Sequence, residues 1–372
     1  MCITAPCHTR NWSVSDMSPA ERFASRVADA YAAKQPLRIE GSGSKAFLGH
    51  PVDGMPLDTR ELSGIVAYEP SELVITACGG TPLLELQQVL DERGQMLPFE
   101  PPLFSDQATL GGVLACGLSG PRRPYAGSAR DLVLGTRIVN GKGELLRFGG
   151  QVMKNVAGYD ISRLMIGAHG TLGVIAEASL KVLPRPEIER TLVLDMDASQ
   201  AIEAMNRWAG QPIPLSAAMH DGDQLYLRLS GYASGVDAAI RRIGGEEFPE
   251  SDGLWLAVRE HQHPFFASRD DATALWRLSV PSTTPSLGLR GSTLIDWGGA
   301  QRWLETDLPA DTVRAAVAKV GGHATLYWHG PLPASTPVFH PLAPTMERLH
   351  QALREAFDPA GILNPGRMTS KP

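Results

Sequence analysis

Phe23, Val27 and Tyr31 recur every four residues near the start of the chain, so they share one apolar stripe and predict a short amphipathic helix. Ser18 stands before it, Pro19 takes the first helical position, and Glu21 follows three residues after the serine, a spacing that caps a helix start. "PLRIEGSGSKAFLG" then reads as a short strand running into a glycine-rich loop, and "SELVITACGG" as a buried strand. Thr81-Pro82 opens a second helix, which Gly94 ends. "LVLGTRIV" and "GELLRFGG" flank Asn140-Gly141-Lys142, the pattern of a hairpin. "VIAEASLKVLP" largely alternates and stops at Pro184-Arg185-Pro186, which predicts a domain boundary.

Beyond that point the rhythm changes. "RTLVLDMD", "QLYLRLSG", "LWRLSVP", "STLIDWGG" and "HATLYWHG" predict strands. "ASQAIEAMNRWAG", "GVDAAIRRIGG" and "ADTVRAAVAKVGG" predict helices between them, so a sheet covered by helices on one face is expected. A last helix, "TMERLHQALREAF", is stopped by the Gly and Pro of "DPAGILNPGRM". The expected segments are a flexible N-terminus over 1–17, a first domain over 18–186, a smaller α+β domain over 187–343, and a C-terminal helix and tail over 344–372 that return to the first domain.

The 372 residues suffice for two packed domains, and 43% hydrophobic content fits a globular chain. A net charge of −6 argues against a nucleic-acid surface, so an anionic ligand has to be held by local backbone dipoles. Cys2, Cys7, Cys78 and Cys116 form no C-x-x-C, so no iron–sulfur or structural zinc site is expected and a reduced setting is. Cys2, Cys7 and His8 read as a frayed terminus rather than as metal ligands. No leader segment or apolar run of membrane-spanning length is evident, so the expected location is cytoplasmic, with any membrane association coming through a complex.

Three glycine clusters carry the candidate chemistry. Gly167, Gly170 and Gly173 have a G-x-x-G-x-x-G spacing, but a dinucleotide fingerprint needs a helix next and here a β-branched strand follows. "GSGSK" fails the P-loop spacing, yet its alternating Gly and Ser can turn several N–H groups toward one anion. The segment 105–135 holds Gly111, Gly112, Gly117, Gly120, Gly127 and Gly135, suited to close approach of backbone to a flat or extended ligand.

"GSGSK", "ATLGG", "GPRRPYAGSARDLVLG", "NGKGELLRFGG", "KNVAGYD" and "GAHGTLGVI" follow one another in the order seen in vanillyl-alcohol-oxidase-type FAD domains. The tail "FDPAGILNPGRM" resembles the branch of that family that oxidises 2-hydroxy acids, and within it the chain is similar to the shorter of two FAD-type subunits of a glycolate-oxidising complex. The resemblance implies an α+β chain: an FAD-binding domain of the PCMH type, a smaller cap domain, and a noncovalent FAD. It implies that Gly41, Ser42, Gly43, Ser44 and Lys45 line the pyrophosphate. Thr109, Gly111, Gly112, Gly117, Ser119 and Gly120 would lie along the dinucleotide, with Gly170, Gly173, Val174 and Ile175 on a second segment and Tyr159 and Asp160 beside the site. Arg122 and Arg123 would either reach an anion or be solvated.

Oxidising a 2-hydroxy acid requires a grip on the carboxylate, a base for the hydroxyl proton and a hydride acceptor, which FAD supplies. Catalytic relatives supply the others with an arginine, an H-x-G-D-G-N-x-H segment and an E-H-G segment, which also hold a divalent metal. This chain departs at each point: "GGHATLYWHGP" lacks the acidic and amide residues, "STPVFHPLAPTME" has no Glu-His-Gly, and Leu278 and Ser279 stand where the arginine is expected. The remaining catalytic candidates are His323, His329, Arg277 and Tyr327; no metal site is expected. The implied role is an FAD-binding subunit, not catalytic alone, that partners a catalytic FAD subunit and an iron–sulfur subunit. The alternatives are a self-sufficient FAD-dependent 2-hydroxy-acid dehydrogenase and a structural subunit that has lost FAD.

Overall fold

The computed structural model describes residues 17–150, 160–267 and 271–369. Helix α1 (Pro19–Ala33) is closed at its start by the expected box: Ser18 Oγ accepts from the Glu21 N–H and the Glu21 carboxylate accepts from the Ser18 N–H. Its buried face is Ala20, Phe23, Ala24, Val27 and Ala30. Strands β1 (Leu37–Glu40) and β2 (Met55–Asp58) pair in parallel. Then come β3 (Ile65–Glu69), β4 (Val74–Cys78), α2 (Leu83–Asp91), β5 (Gln95–Met96), α3 (Leu110–Cys116), α4 (Arg123–Ala126) and α5 (Ala129–Leu132). The predicted hairpin is β6 (Val133–Val139) and β7 (Leu145–Gly149), followed by α6 (Ile161–Met165), β8 (Val174–Lys181) and β9 (Leu183–Pro184). An antiparallel sheet in the order β3-β4-β8-β6-β7 forms the first unit, with α2, α3 and α6 in its core.

The second unit begins with β10 (Ile188–Asp195), α7 (Ala198–Ala209), β11 (Leu215–His220), β12 (Gln224–Gly231), α8 (Ala233–Ile243), β13 (Glu246–Glu247), α9 (Ser251–Arg259) and α10 (Pro264–Ala267). It continues with β14 (Ala274–Ser279), β15 (Ser292–Asp296), β16 (Gln301–Thr306), α11 (Ala310–Ala318) and β17 (His323–Trp328). Its eight strands run antiparallel in the order β13-β10-β12-β11-β15-β16-β14-β17. Helices were expected on one face only; the structure has them on both. Leu192, Leu225, Leu227 and Leu229 pack under α7 and α8, and Trp276, Leu304 and Leu326 under α11. The alternate residues Met219, Tyr226, Leu275, Trp303 and Tyr327 are also large and apolar, so they bury against Trp255 and Val258 of α9, Phe266 of α10, and Leu48 and Leu118 of the first unit.

The last helix, α12 (Pro344–Phe357), touches the first unit through Leu353 and Phe357. The tail beyond it lies along β1: Leu37 N–H donates to Ile362 O (2.7 Å) and Asn364 N–H to Leu37 O (3.0 Å).

A buried ion network joins the two units. Glu100 accepts from Arg122 Nε (3.1 Å) and from Arg228 Nη2 (2.8 Å), while Arg122 and Arg228 both reach Glu189. Arg122, named in the sequence with Arg123 as a solvated or anion-reaching pair, is therefore an internal strut. Beside it Trp297 Nε1–H donates to Gly120 O (3.0 Å), and the Glu260 carboxylate accepts from the N–H groups of Leu103 and Phe104 (3.0 and 2.8 Å). Glu100→Ala would leave two buried guanidiniums short of a partner. It should lower unfolding stability by about 3–5 kcal/mol, read by urea denaturation, whereas Glu61→Ala, at the exposed Arg26 pair, should cost less than about 1 kcal/mol.

Candidate functional site

Where β1 ends at Glu40 the chain enters the loop Gly41 to Lys45, one wall of a groove of about 970 Å³. Among the described residues the N–H groups of Ser42, Gly43 and Lys45 donate to nothing; Gly43 has φ +75 and open space where a Cβ would stand. Three donors without a protein acceptor on one short loop, half-buried at Ser42 and exposed at Gly43, can converge on anionic oxygen. A Cβ on Gly41 would lie 2.4 Å from Thr109 Oγ1, so this close approach needs glycine.

The floor is α3. Thr109 caps it, Oγ1 accepting from Gly112 N–H (3.3 Å), and Gly111 N–H donates to Gly79 O (2.6 Å). The facing wall is the turn His169–Gly170 and the start of β8, with Gly173, Val174 and Ile175. The C-terminal tail closes one side: Asn364 accepts from Ile39 N–H (2.7 Å) and donates to His169 O (2.8 Å), and Arg367 Nη1 donates to His50 O (3.1 Å). Lys45 Nζ donates to Leu103 O (2.9 Å); burial pushes its pKa down to about 8, and the nearby Cys116 and Glu260 offset only part of that. Burial, with Arg367 adding to it, pushes His169 down to about 4, so it is neutral. Burial pushes the Cys116 thiol up to about 11, so it is not a thiolate.

Twelve of the expected cofactor residues line this groove: Gly41, Ser42, Gly43, Ser44, Lys45, Thr109, Gly111, Gly112, Gly170, Gly173, Val174 and Ile175. Four others have different tasks. Gly117 is the left-handed C-cap of α3, where a Cβ would meet Gly167 at 3.0 Å. Ser119 and Gly120 line a second pocket instead, and Asp160 caps α6 through Arg163 N–H (3.2 Å) at the surface. Tyr159 lies outside the described residues. Sequence reasoning missed Asn364, Arg367 and His169; the Pro-Gly turn after Asn364, which stops the last helix, was the available signal for the tail.

A second, much smaller pocket lies between the two units and is lined by Leu118, Ser119 and Gly120 from one and Arg277, Asp296, Gln301, Trp303 and Tyr327 from the other. Arg277 and Tyr327 thus come together. His323 and His329 do not join them: His323 lies near Arg277 and His340, outside the pocket lining, and His329 lies past the end of β17, near His50. A register shift opposite Leu275 and Trp276 interrupts the strict alternation of sides toward the end of β17. Most of this sheet face is filled by aromatic contacts, with Trp303 4.8 Å from Tyr327, His261 4.5 Å from Phe266, and Phe47 of the glycine loop 5.3 Å from Tyr327. Asp296, also missed, accepts from Trp297 N–H (2.6 Å) and Gln301 Nε2 (3.4 Å), and burial pushes its pKa up to about 7.

A family model described as an FAD binding domain matches residues 18–149. The chain is 48% identical to the glycolate oxidase subunit GlcE of Escherichia coli (strain K12) over 343 residues, covering 92% of this chain and 95% of that one. It is 32% identical over 160 residues to the glycolate oxidase subunit GlcD of Bacillus subtilis (strain 168), covering 42% of this chain and 34% of the relative. Among solved structures an alkyldihydroxyacetonephosphate synthase aligns with a TM-score of 0.64 at 16% identity, over 93% of this chain and 74% of that one, a likeness of fold.

The raised pKa of Asp296 has a sign that can be measured. The folded chain keeps its proton up to about pH 7, while the unfolded chain releases it in the ordinary carboxylate range. Between those limits the native state binds more protons, so this group's contribution to stability falls as pH rises. Asp296→Asn removes that slope. Relative to the native chain, the variant should gain up to about 4 kcal/mol between pH 4 and pH 8 in urea unfolding, and equal slopes would refute the assignment.

Proposed function

Because the chain belongs to the family of the glycolate oxidase subunit GlcE, we propose that it is the FAD-binding subunit of a multi-subunit glycolate oxidase and does not oxidise glycolate by itself. The cofactor is FAD. The groove fits it on the chain's own terms: unpartnered N–H groups on the Gly41–Lys45 loop suit the pyrophosphate, the missing side chain of Gly43 leaves open space there, and Gly111 lets α3 pack closely on Gly79 beneath the groove. Lys45 and Arg367 add positive charge, while Ala46, Met165, Val174 and Ile175 supply apolar walls. FAD, when bound, supplies acceptance of a hydride or of electrons. The protein's part is to hold it, to exclude water with the C-terminal tail, and to keep His169 and Cys116 uncharged beside it.

One observation carries the noncatalytic part of the reading. The groove is built along its whole length, whereas the facing surface of the second sheet is closed by the packed rings of Phe47, Phe104, His261, Phe266, Trp303 and Tyr327. A catalytic FAD subunit would oxidise the 2-hydroxy acid, and an iron–sulfur subunit would carry electrons away. Among the described residues no helix is long and apolar enough to cross a membrane; membrane contact, where the complex has it, is assigned here to those partners. The segments 18–186, 187–343 and 344–372 serve as FAD domain, cap and closing tail.

Two measurements test this. Gly41→Val forces a branched side chain against Thr109, so FAD affinity should fall roughly tenfold or more, a loss of about 1.4 kcal/mol or more, read from the visible flavin absorbance of the purified chain. Gly235→Ala, on an open helix surface, should leave it unchanged. The chain, affinity-tagged in cells that express the whole complex, should co-purify with a larger flavoprotein and an iron–sulfur protein. Recovery of this chain alone would refute the assembly.

A further inference from the structure

Between β17 and α12 the chain runs as a proline-broken strap, residues 331–340, that bears on the cofactor groove from outside. The Phe339 ring lies 5.4 Å from the ring of His169, which lines the groove. The strap also rests on His50, whose N–H donates to Arg367 O (3.0 Å), and Arg367 is another lining residue.

Two of the bonds that pin the strap use an imidazole nitrogen as acceptor. Val338 N–H donates to His50 Nε2 (3.4 Å), and Ala324 N–H of β17 donates to His340 Nδ1 (3.3 Å). A third pin is backbone alone, Leu326 N–H to Val338 O (2.8 Å), and the Arg314 side chain of α11 donates to Pro337 O. An imidazole accepts only while it is neutral, because a second proton makes donors of both nitrogens. Protonated His50 and His340 would each point an N–H at a backbone N–H, and each pin would become a repulsion.

The surroundings oppose those charges while the strap is closed. His50 faces His329 and Arg367; His340 faces His323 and Arg314, with Asp311 beside Arg314 on α11; and His323 faces Arg277. Among the described residues none of these four histidines forms an ion pair with a carboxylate. Burial, with His329 and Arg367 adding to it, holds His50 below the ordinary imidazole range, and burial followed by Arg314 does the same to His340. A lifted strap returns both rings to water and to their ordinary basicity. Lifting therefore takes up protons, so closure is stable where both rings are neutral and is lost as pH falls below the ordinary imidazole range.

We propose that the strap is an acid-released clasp on the FAD groove, with His50 and His340 as its titrating pins. Closed, it holds Phe339 against His169 and His50 against the Arg367 tail. Open, it frees both lining residues, and the dinucleotide leaves faster. The consequence for flavin rests on the FAD reading; the opening of the strap does not.

The test is hydrogen exchange of the full FAD-loaded chain between about pH 7.5 and about pH 5.5, corrected for the intrinsic pH dependence of exchange, with flavin release followed by fluorescence. On acidification the protection of Ala324, Val338 and Leu326 should fall roughly tenfold or more, and flavin should dissociate faster by a similar factor. Leu227, buried in the middle of the same sheet, should not respond. In the double variant His50→Gln, His340→Asn an amide oxygen replaces each accepting nitrogen and does not titrate, so both changes should disappear. Unchanged protection in the native chain, equal acid loosening in the double variant, or a lifted strap with unaltered flavin release would each overturn the proposal. Should the variant fail to fold, the native chain's exchange at these amides, measured against Leu227, decides alone. A chain that holds no flavin at either pH would refute the FAD reading instead, and amide exchange would still decide the strap.

Discussion

The Glu100 carboxylate, held between Arg122 of the first unit and Arg228 of the second, fixes how the two halves of this protein face each other. Glu100 itself sits in the left-handed region at φ 45, and its carbonyl lies so close to Gly120 that a Cβ there would approach to 2.3 Å. Burial alone would raise the Glu100 pKa, but the two guanidiniums more than offset it and keep the group ionised. The network is a specificity device more than a source of net stability, because desolvating four charged groups offsets most of their attraction. What it specifies is the alignment of segment 118–121 with the 296–301 turn, and the pocket between the units is lined from both.

The groove and the pocket use opposite means to attract negative charge. In the groove the work is done mainly by backbone: glycines bring N–H groups close, and Thr109 orients the first turn of α3. In a chain of net negative charge this local field is what an anionic ligand meets. At the pocket the charge is on side chains: Arg277 lines it, and Arg277 and Arg123 both lie against the Trp297 ring.

Much of the fold could be read from local signals because those signals act within a few residues. The Ser18–Glu21 box, the Asn140-Gly141 hairpin and the strand after Gly173 all stand where their sequence places them, and that strand rightly excluded a dinucleotide fingerprint. Helix α3 was hidden, since two of its seven residues are glycine, and its cap and burial override a poor propensity. The cofactor loop was legible as a donor-rich turn, but Asn364 and Arg367 come from more than 300 residues away and no spacing rule links them to Gly41. Arg277 was visible as a charge on a strand. Its burial beside Asp296 and Gln301 is a product of sheet register and interdomain packing, and no local pattern carries it.

Under the proposed function this chain holds FAD yet does not turn over glycolate without its partners. Anaerobic titration of the isolated, FAD-loaded chain with glycolate, following the visible flavin spectrum, tests it most directly. The oxidised flavin spectrum should persist through the titration and bleach when the partner subunits are added. Stoichiometric bleaching of the chain on its own would contradict it.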